Sequence, residues 1–414
     1  MTKNDDKRIP ALRFKGFNDD WAQRKLKNLV SFSKGKGYTK NDLLSNGTPI
    51  LLYGMLYTNY LERYSNFFTY AKANLKSVYS TKHEVVMPDS GETSVDIARA
   101  SWVDKPGVIL GGGLIILKPK DIIFPGFLAY SLTYGKNHKD IASKAQGKSV
   151  VHIHSKDLAN LKFFFPKNIV TQRKICNLLE EVNTYISLQQ RKMEQLKLLK
   201  KAMLQKGFTN KSAPTLRFKG FSKAWTEYPL GNLGKACSGY GFPNSEQGGN
   251  KGIPFYKVSD MNLAGNEDEM IYANNYVTDA QIDRNNWKPI VDVPAIFFAK
   301  VGAAVLLNRK RLCKRPFLLD NNTMAYSLNK NILSTQFTKS LFETINLPSF
   351  IQVGALPSYN TNDIESIKVK IPKIDEQEKI GILLKKIERL ITRQQSKIKK
   401  LQSTKQFLLQ NMFI

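Results

Sequence analysis

The hexapeptide LRFKGF at residues 12–17 recurs letter for letter at residues 216–221, and a tryptophan follows each copy at the same distance, Trp21 and Trp225. Weaker matches continue the repeat at an offset of about 205 residues, which is half of the 414-residue chain. Self-similarity at one long offset indicates duplication of a whole structural unit. The sequence therefore predicts two halves with the same architecture.

The first part of each half is a region of about 150 residues in which short apolar runs alternate with Gly, Pro and Asn. This pattern predicts strands joined by turns and short helices. Strands are predicted at residues 108–110, 114–117 and 163–165 in the first half, and at 295–298, 303–307 and 367–371 in the second. We therefore expect two mixed α/β regions with substantial strand content.

A long helix is predicted after Pro166 and again after Pro372, because apolar residues recur there with the 4-3-4 spacing of a coiled-coil heptad. Polar residues interrupt the seam at matching heights, including Lys200 and Lys405, and such interruptions specify helix register at a cost in stability. The predicted seam residues are Ile175, Leu179, Val182, Ile186, Gln189, Met193, Leu196, Ile380, Leu384, Ile387, Ile391, Gln394, Ile398 and Leu401.

Each predicted helix would be roughly 50 Å long at 1.5 Å per residue. Because the second globular region lies between the two helices, a compact region would return the chain so that the helices run antiparallel. A parallel pair, or helices that each pack only on their own half, remain alternatives. The sequence thus predicts an α+β protein with an internal pseudo-two-fold duplication, in which two mixed α/β regions are separated by two long helices forming an antiparallel coiled coil.

The chain has 63 Lys and Arg residues against 34 Asp and Glu, a formal net charge of +29. A charge of this size attracts polyanions, so nucleic acid is the favoured partner and a membrane surface the second choice. The sequence has no secretory signal and no run of about 20 apolar residues. Cys176, Cys237 and Cys313 are too far apart for a disulfide framework. We expect a soluble cytoplasmic protein.

Motifs for covalent chemistry are incomplete. A phosphate-binding loop fails because Ala142 stands where the first glycine is needed before residues 147–149. The chain has no HExxH motif and no Asn-Pro-Pro-Tyr loop of amino-methyltransferases. His152 and His154 lack a second ligand cluster, so we interpret them as structural or phosphate-contacting. We predict no catalytic residue, no metal site and no enzyme activity for this chain alone.

Basic, amide and aromatic side chains cluster between the apolar runs, which is the composition that binds phosphates and base edges. The candidate DNA-binding residues are Lys34, Lys36, Tyr38, Tyr57, Asn59, Arg63, Lys144, Gln146, Lys148, Ser149, Lys257, Ser259, Asn262, Arg309, Lys310, Arg311, Lys314 and Arg315. These loops differ greatly between the halves, so we expect unlike half-sites and an asymmetric split target.

Over essentially its whole length the chain resembles the specificity subunits of type I restriction–modification systems. The resemblance rests on IPFYKVSDMN at residues 253–262, on DEQEKI at residues 375–380, and on the duplicated LRFKGF with its tryptophan. The first half departs from the family pattern, with Thr171 before Gln172 where Glu-Gln is usual. The resemblance implies target recognition domains at residues 1–170 and 208–375, and conserved long helices at residues 171–207 and 376–414.

The resemblance also implies a mechanism. Each recognition domain would read one half of a bipartite target in double-stranded DNA, and the helix pair would set the spacer. The subunit would direct two adenine methyltransferase (modification) subunits and two restriction (motor-nuclease) subunits. S-adenosylmethionine, ATP and magnesium would be bound by those partners and none by this chain.

Other classes of function remain open on the residues alone. A coiled-coil scaffold could use its charge only for solubility, and its DNA binding would then depend little on salt. A stand-alone enzyme with an unrecognised site would act without partners. An RNA reader would prefer RNA in competition with duplex DNA.

Overall fold

The computed structural model describes residues 9–17, 19–147, 150–208, 213–351 and 358–414. The chain divides into two compact units. Unit 1 comprises Met1–Gln190 together with Lys397–Ile414, and unit 2 comprises Arg191–Ser396. Strands and helices are mixed in both units, which confirms the predicted α+β class and its internal duplication.

The secondary structure of unit 1 is dominated by short strands. The strands are β1 Ala22–Lys25, β2 Val30–Lys34, β3 Leu43–Leu44, β4 Thr48–Leu51, β5 Arg63–Tyr64, β6 Tyr70–Ala71, β7 Tyr79–Thr81, β8 Val85–Pro88, β9 Ser90–Gly91, β10 Ser101–Val103, β11 Pro106–Leu110, β12 Leu114–Pro119, β13 Val151–His152 and β14 Lys162–Phe165. The helices are α1 Met55–Thr58, α2 Ser94–Ile97, α3 Pro125–Thr133, α4 Gly135–Lys144, α5 Ser155–Ala159 and the long α6 Ile169–Gly207, which continues into unit 2.

Two five-stranded sheets form the centre of unit 1, in the orders β2-β12-β8-β10-β5 and β3-β6-β4-β11-β7. Strand β12 is buried along Leu114–Leu117 and reads as a continuous apolar run because it is covered on both faces. Its alternate residues enter different cores: Ile115 and Leu117 pack in the core that contains α3, and Leu114 and Ile116 pack in a second core with β4 and β11.

Unit 2 repeats this plan with fewer strands. They are β15 Thr226–Pro229, β16 Gly234–Ser238, β17 Ile253–Tyr256, β18 Tyr276–Val277, β19 Ala295–Ala299, β20 Lys310–Cys313, β21 Leu318–Leu319, β22 Thr323–Leu328 and β23 Lys368–Ile371. The helices are α7 Asp279–Arg284, α8 Ala303–Leu306, α9 Thr335–Thr344, α10 Thr361–Glu365 and the long α11 Ile374–Asn411, which continues into unit 1. The sheet orders are β16-β22-β19-β20 and β18-β17-β21, with β15 paired to β23.

One predicted strand is wrong. Within residues 303–307 the chain forms the short helix α8, Ala303–Leu306, which begins directly after the positive φ of Gly302 (77°). The other predicted strands, including those that end before Pro166 and Pro372, are present. Short apolar runs of four or five residues do not separate strand from helix by pattern alone, which explains the error.

Both long helices begin with the same glutamine contact. Gln172 accepts a hydrogen bond from the Phe124 amide at 2.8 Å and donates to the Pro166 carbonyl at 2.9 Å. Gln377 in α11 is buried likewise, donating to the Pro372 carbonyl at 3.0 Å. Because each amide satisfies backbone groups on both sides of the turn, it fixes the direction in which the helix leaves its sheet.

Each unit contains the beginning of one long helix and the end of the other. In unit 1, Ile175 near the start of α6 shares a core with Phe413, which follows the end of α11. In unit 2, Leu384 near the start of α11 shares a core with Phe208, which follows the end of α6. This arrangement is that of an antiparallel helix pair, as predicted. No helix in the described ranges combines the length and apolarity that a bilayer span requires.

Candidate nucleic-acid interface

The loop after β2 contains the first three candidate residues. Lys34 and Lys36 are exposed, and the Lys34 ammonium lies 3.8 Å from the Asp89 carboxylate. Tyr38 has a φ of 59°, and its hydroxyl donates to the Lys72 carbonyl at 3.1 Å. The two lysines are therefore accessible to a polyanion, whereas Tyr38 holds the loop in place.

The next candidates of unit 1 differ in accessibility. The Tyr57 hydroxyl donates to a backbone carbonyl at 2.7 Å, and burial raises the pKa of Tyr57 well above its usual value. Arg63 pairs with the Asp104 carboxylate and lies 4.8 Å over the Trp102 ring. Asn59 is exposed. Tyr57 and Arg63 thus have internal partners, and Asn59 is the accessible member of this group.

The third group of unit 1 follows helix α4. Lys144 is partly exposed and Gln146 is exposed. The Gln146 and His152 backbones exchange two hydrogen bonds of 2.8 and 3.0 Å, which pair these two residues. Lys148 and Ser149 lie outside the described residues.

In unit 2, three candidates lie in the turn after β17. The Asp260 carboxylate is buried and accepts a hydrogen bond from the Lys257 amide at 2.8 Å, which fixes the turn. The Lys257 ammonium lies 3.2 Å from the Gln247 side-chain oxygen. Ser259 and Asn262 are exposed. A buried carboxylate therefore holds a turn whose other polar groups face solvent.

Lys310, in the densest basic cluster, does not face solvent, contrary to our expectation. It is buried, and its ammonium donates to the Asn308 side chain at 2.6 Å and to the Ile345 carbonyl at 2.7 Å. Burial lowers the pKa of Lys310 to about 8. Lys310 therefore joins β20 to the end of α9 inside unit 2.

The other four cations of this cluster are more accessible. Arg311 donates to a backbone carbonyl at 2.7 Å, and burial lowers its pKa. Arg309 is partly exposed and donates to Asn262 at 2.7 Å. Lys314 and Arg315 are exposed, although Lys314 pairs with a surface carboxylate. Arg309, Lys314 and Arg315 are the members of this cluster that can best reach phosphates.

All predicted seam residues of the long helices are removed from solvent at least in part. The buried ones are Ile175, Leu179, Ile186, Leu384, Ile387, Gln394 and Ile398, and the partly buried ones are Val182, Gln189, Met193, Leu196, Ile380, Ile391 and Leu401. In unit 2 the seam continues into a partly buried ion network. The Lys200 ammonium lies 2.6 Å from both Glu343 and Glu388, and Lys339, only 5% exposed, lies 2.9 Å from Glu388 and also pairs with Asp268.

Unit 1 pairs its own seam lysine with an acidic residue. The Lys405 ammonium lies 2.7 Å from the Glu62 carboxylate, which also accepts a hydrogen bond from the Tyr134 hydroxyl at 2.8 Å. Lys200 and Lys405 thus occupy matching positions in the repeat, and each contacts a carboxylate of the unit in which its helix ends.

Polar side chains that the sequence did not single out also lie at the strand ends. Asp89 follows β8 in unit 1; Ser238 ends β16 and Lys300 follows β19 in unit 2. Asn321 and Asn322, just before β22, are exposed. Strand pairing brings these residues near the predicted ones. No sequence motif marks them, because each is a single polar residue or a short polar pair beside an apolar run.

No group of three His, Cys, Asp or Glu side chains in the described part of the chain could hold a metal ion. The three cysteines are unpaired, and Cys176 and Cys313 are buried. Burial raises the pKa of both thiols, which disfavours the reactive thiolate.

Comparison with known proteins gives consistent results. The family model described as type I restriction modification DNA specificity domain matches residues 18–198 and 222–403. The MjaVIII specificity subunit of a type I restriction enzyme from Methanocaldococcus jannaschii is 22% identical over 404 residues, covering 90% of this chain and 87% of the relative. A putative MjaX specificity subunit from the same organism is 28% identical over 318 residues, covering 70% and 68%.

Two solved structures share the fold. The crystal structure of the S subunit of a type I restriction–modification system from M. genitalium has a TM-score of 0.60 at 16% identity, covering 98% of this chain and 99% of that one. A chain from a structural study of complex assembly and conformational transition in the type I R-M system has a TM-score of 0.54 at 14% identity, covering 94% and 96%.

Proposed function

This chain belongs to the family of type I restriction–modification DNA specificity subunits, which are DNA-binding and non-catalytic, and on that basis we propose that each half reads one part of an asymmetric bipartite target in double-stranded DNA. The observation that supports the proposal is that the family domain occurs twice, at residues 18–198 and 222–403, with unlike loops on a repeated scaffold. Unlike loops on equivalent strands present different hydrogen-bonding groups, so the two half-sites differ.

We propose residues 1–170 and 208–375 as the target recognition domains, and residues 171–207 and 376–414 as the helices that set the spacer. The burial or partial burial of the apolar seam residues along both helices supports the assignment of the helix pair as the spacer. Half-sites on one face of duplex DNA recur at about 34–36 Å, one helical turn. A fixed helix length therefore sets a fixed number of base pairs in the spacer between the two half-sites.

The partners in this proposal are two adenine methyltransferase subunits and two restriction motor-nuclease subunits. The chain directs the methyltransferases to one adenine in each half-site. S-adenosylmethionine, ATP and magnesium are bound by the partners, and this chain binds none of them. The complex acts where foreign DNA enters the cell, so the proposed location is the cytoplasm.

The first test is sequencing of methylated bases in a host without other methyltransferases that expresses this chain with its cognate methyltransferase subunit. We expect a split, asymmetric motif with one methyladenine on each strand, absent when this chain is omitted. Omission of the chain controls for methylation by the partner alone. An active partner that produces no split motif contradicts the proposal.

Neutralising the accessible cations of unit 2 is expected to weaken duplex binding by the methyltransferase complex. The triple variant Arg309→Gln, Lys314→Gln and Arg315→Gln removes up to three phosphate-binding side chains. The slope of log affinity against log salt should therefore fall by roughly one for each phosphate that is no longer neutralised. Fluorescence anisotropy at several salt concentrations measures both the affinity and the slope.

The matched control removes the same charge from exposed positions of α11, with Lys386→Gln, Arg389→Gln and Arg393→Gln. We expect this variant to keep the wild-type salt slope. Equal slopes for the two triple variants would show that net charge, and not the cluster after β20, governs binding.

A further inference from the structure

Units 1 and 2 each have a group of strand ends, called the edge below, that is joined by equivalent backbone hydrogen bonds. In unit 1 the Asp89 amide donates to the Gly113 carbonyl at 2.9 Å, and in unit 2 the Lys300 amide donates to the Asn322 carbonyl at 2.8 Å. Asp89 and Lys300 therefore occupy equivalent positions, where β8 and β19 end.

The same correspondence extends along the edge. The Gly111 amide bonds to the carbonyl at the end of β4, and the Asp320 amide bonds to the carbonyl at the end of β17, at 3.0 Å in each case. Strand register places Lys34 opposite Ile115 in β12, and it places Ser238 opposite the equivalent residue, Met324, in β22. The equivalent sets are Lys34, Leu52, Asp89, Gly111, Gly112 and Gly113, which we call edge 1, and Ser238, Lys257, Lys300, Asp320, Asn321 and Asn322, which we call edge 2.

A glycine fixes the backbone path at both edges. A Cβ added to Gly35 would lie 1.9 Å from the Gly111 carbonyl oxygen, and one added to Gly239 would lie 1.9 Å from the Asp320 carbonyl oxygen. Side chains are excluded at both positions, so the strands approach equally closely in the two units. The backbone of the edge is therefore common to both units, although every residue of the two sets differs.

The side chains give the two edges different polarity. Edge 1 has the lysine–carboxylate pair of Lys34 and Asp89, 57% and 25% exposed, beside three glycines. At edge 2 the Lys300 ammonium donates to the Ser238 hydroxyl at 2.7 Å, and two exposed asparagines replace Gly112 and Gly113. Asp320 lies beneath them, 5% exposed, with an Oδ1 that lacks a partner among the described residues.

These groups match the chemistry of base edges. A carboxylate accepts from the amino groups of cytosine or adenine, a lysine donates to guanine O6 or N7, and an asparagine amide pairs with adenine. We propose that edges 1 and 2 are the base-reading surfaces of the two units, with Asp89 and Lys300 as equivalent specificity-determining residues of opposite polarity. This inference rests on the proposed function, since it assigns the surface that performs it.

The test selects bound sequences from a random duplex library with the full chain in complex with its methyltransferase subunits. Asp89→Asn and Lys300→Met each remove a charge with little change in shape. We expect each to reduce discrimination roughly 10- to 100-fold at one or two base pairs of a single half-site. The two variants should affect opposite halves of the target. Asp121→Asn and Lys368→Met, which change exposed residues of the same types, serve as controls and should leave the motif unchanged.

A second pair of variants, Asp89→Lys and Lys300→Asp, reverses the polarity and should alter the preferred base at the same positions. Unchanged motifs from all four edge variants would overturn the inference. Equal weakening of binding to every duplex would also overturn it, because it would make the edges phosphate-binding surfaces. A wild-type complex that selects no split motif would instead contradict the proposed function itself.

Discussion

Replacing Phe413 with alanine is expected to lower the free energy of unfolding of unit 1 by about 3–5 kcal/mol. Phe413 is 4% exposed, and its ring centroid lies 5.7 Å from that of Phe127 and 6.5 Å from that of Tyr130. The loss combines the transfer of a large apolar side chain with the cavity left between two aromatic rings. Hydrogen exchange of the α3 amides, read by mass spectrometry, measures the change within unit 1.

The matched control is Phe407→Ala, because Phe407 lies near the end of α11, six residues before Phe413, and is 55% exposed. We expect a change within about 0.5 kcal/mol for it. The mirror variant is Phe208→Ala, whose ring packs 5.2 Å from Phe337, and it should speed exchange in unit 2 instead. Similar exchange of α3 in the Phe413 and Phe407 variants would contradict the role of Phe413 in this core.

Replacing Lys339 with methionine is expected to destabilise unit 2 by about 3–5 kcal/mol, because it leaves the partly buried Glu388 carboxylate without the more deeply buried of its two cations. Burial alone would raise the pKa of Glu388, but Lys339 and Lys200 together hold it below its usual value. Lys200 lies 2.6 Å from Glu388 and compensates only in part. Urea unfolding measures the loss of stability, and hydrogen exchange of the unit 2 amides shows that the loss lies in unit 2.

The pH dependence has a defined sign. In the wild type the stability contributed by Glu388 is present above its unfolded pKa of about 4.3 and is lost as pH falls through the lower folded pKa. Without Lys339 the pKa of Glu388 in the folded state rises, so Glu388 takes up a proton at higher pH. The variant then no longer holds an unpaired carboxylate, and its stability approaches that of the wild type. We therefore expect the stability gap to narrow between pH 7 and about pH 4.

Lys314→Met is the control for this second prediction, since Lys314 is 44% exposed and pairs with Glu269 at the surface. Such pairs contribute about 0–1 kcal/mol. A stability loss at Lys339 no larger than the loss at Lys314, or a stability gap that widens on acidification, would contradict the view that the buried Lys339 ammonium stabilises the Glu388 carboxylate.

The fold was predictable where the repeat and the heptads were long. The copies of LRFKGF and the 4-3-4 spacing each extend over enough residues for one interpretation to prevail, and both long helices are present, as Ile169–Gly207 and Ile374–Asn411. Residues 303–307 were too few to separate helix from strand, and Lys310 looked like its exposed neighbours because a lysine gives no sequence sign of burial.

The proposed reading edges were harder to find from sequence. Lys34 and Lys257 were selected because they are basic, but Asp89 and Lys300 are single residues after apolar runs. They also stand further apart than the repeat offset, since loop lengths differ between the halves. Only strand pairing identifies them as equivalent. Tyr57 and Arg63 were chosen by residue type and proved to have internal partners, which depend on side-chain packing.

Each unit contains the end of the long helix that begins in the other unit, and this affects folding while the chain is being translated. Unit 1 needs Leu409, Met412 and Phe413 for its core, yet the whole of unit 2 is translated before them. At about 5–20 residues per second, roughly 10–40 s separate the emergence of Phe208 from that of Phe413. During that interval the nascent first unit exposes the aromatic surface of Phe127, and it is then that the growing chain most needs protection from aggregation.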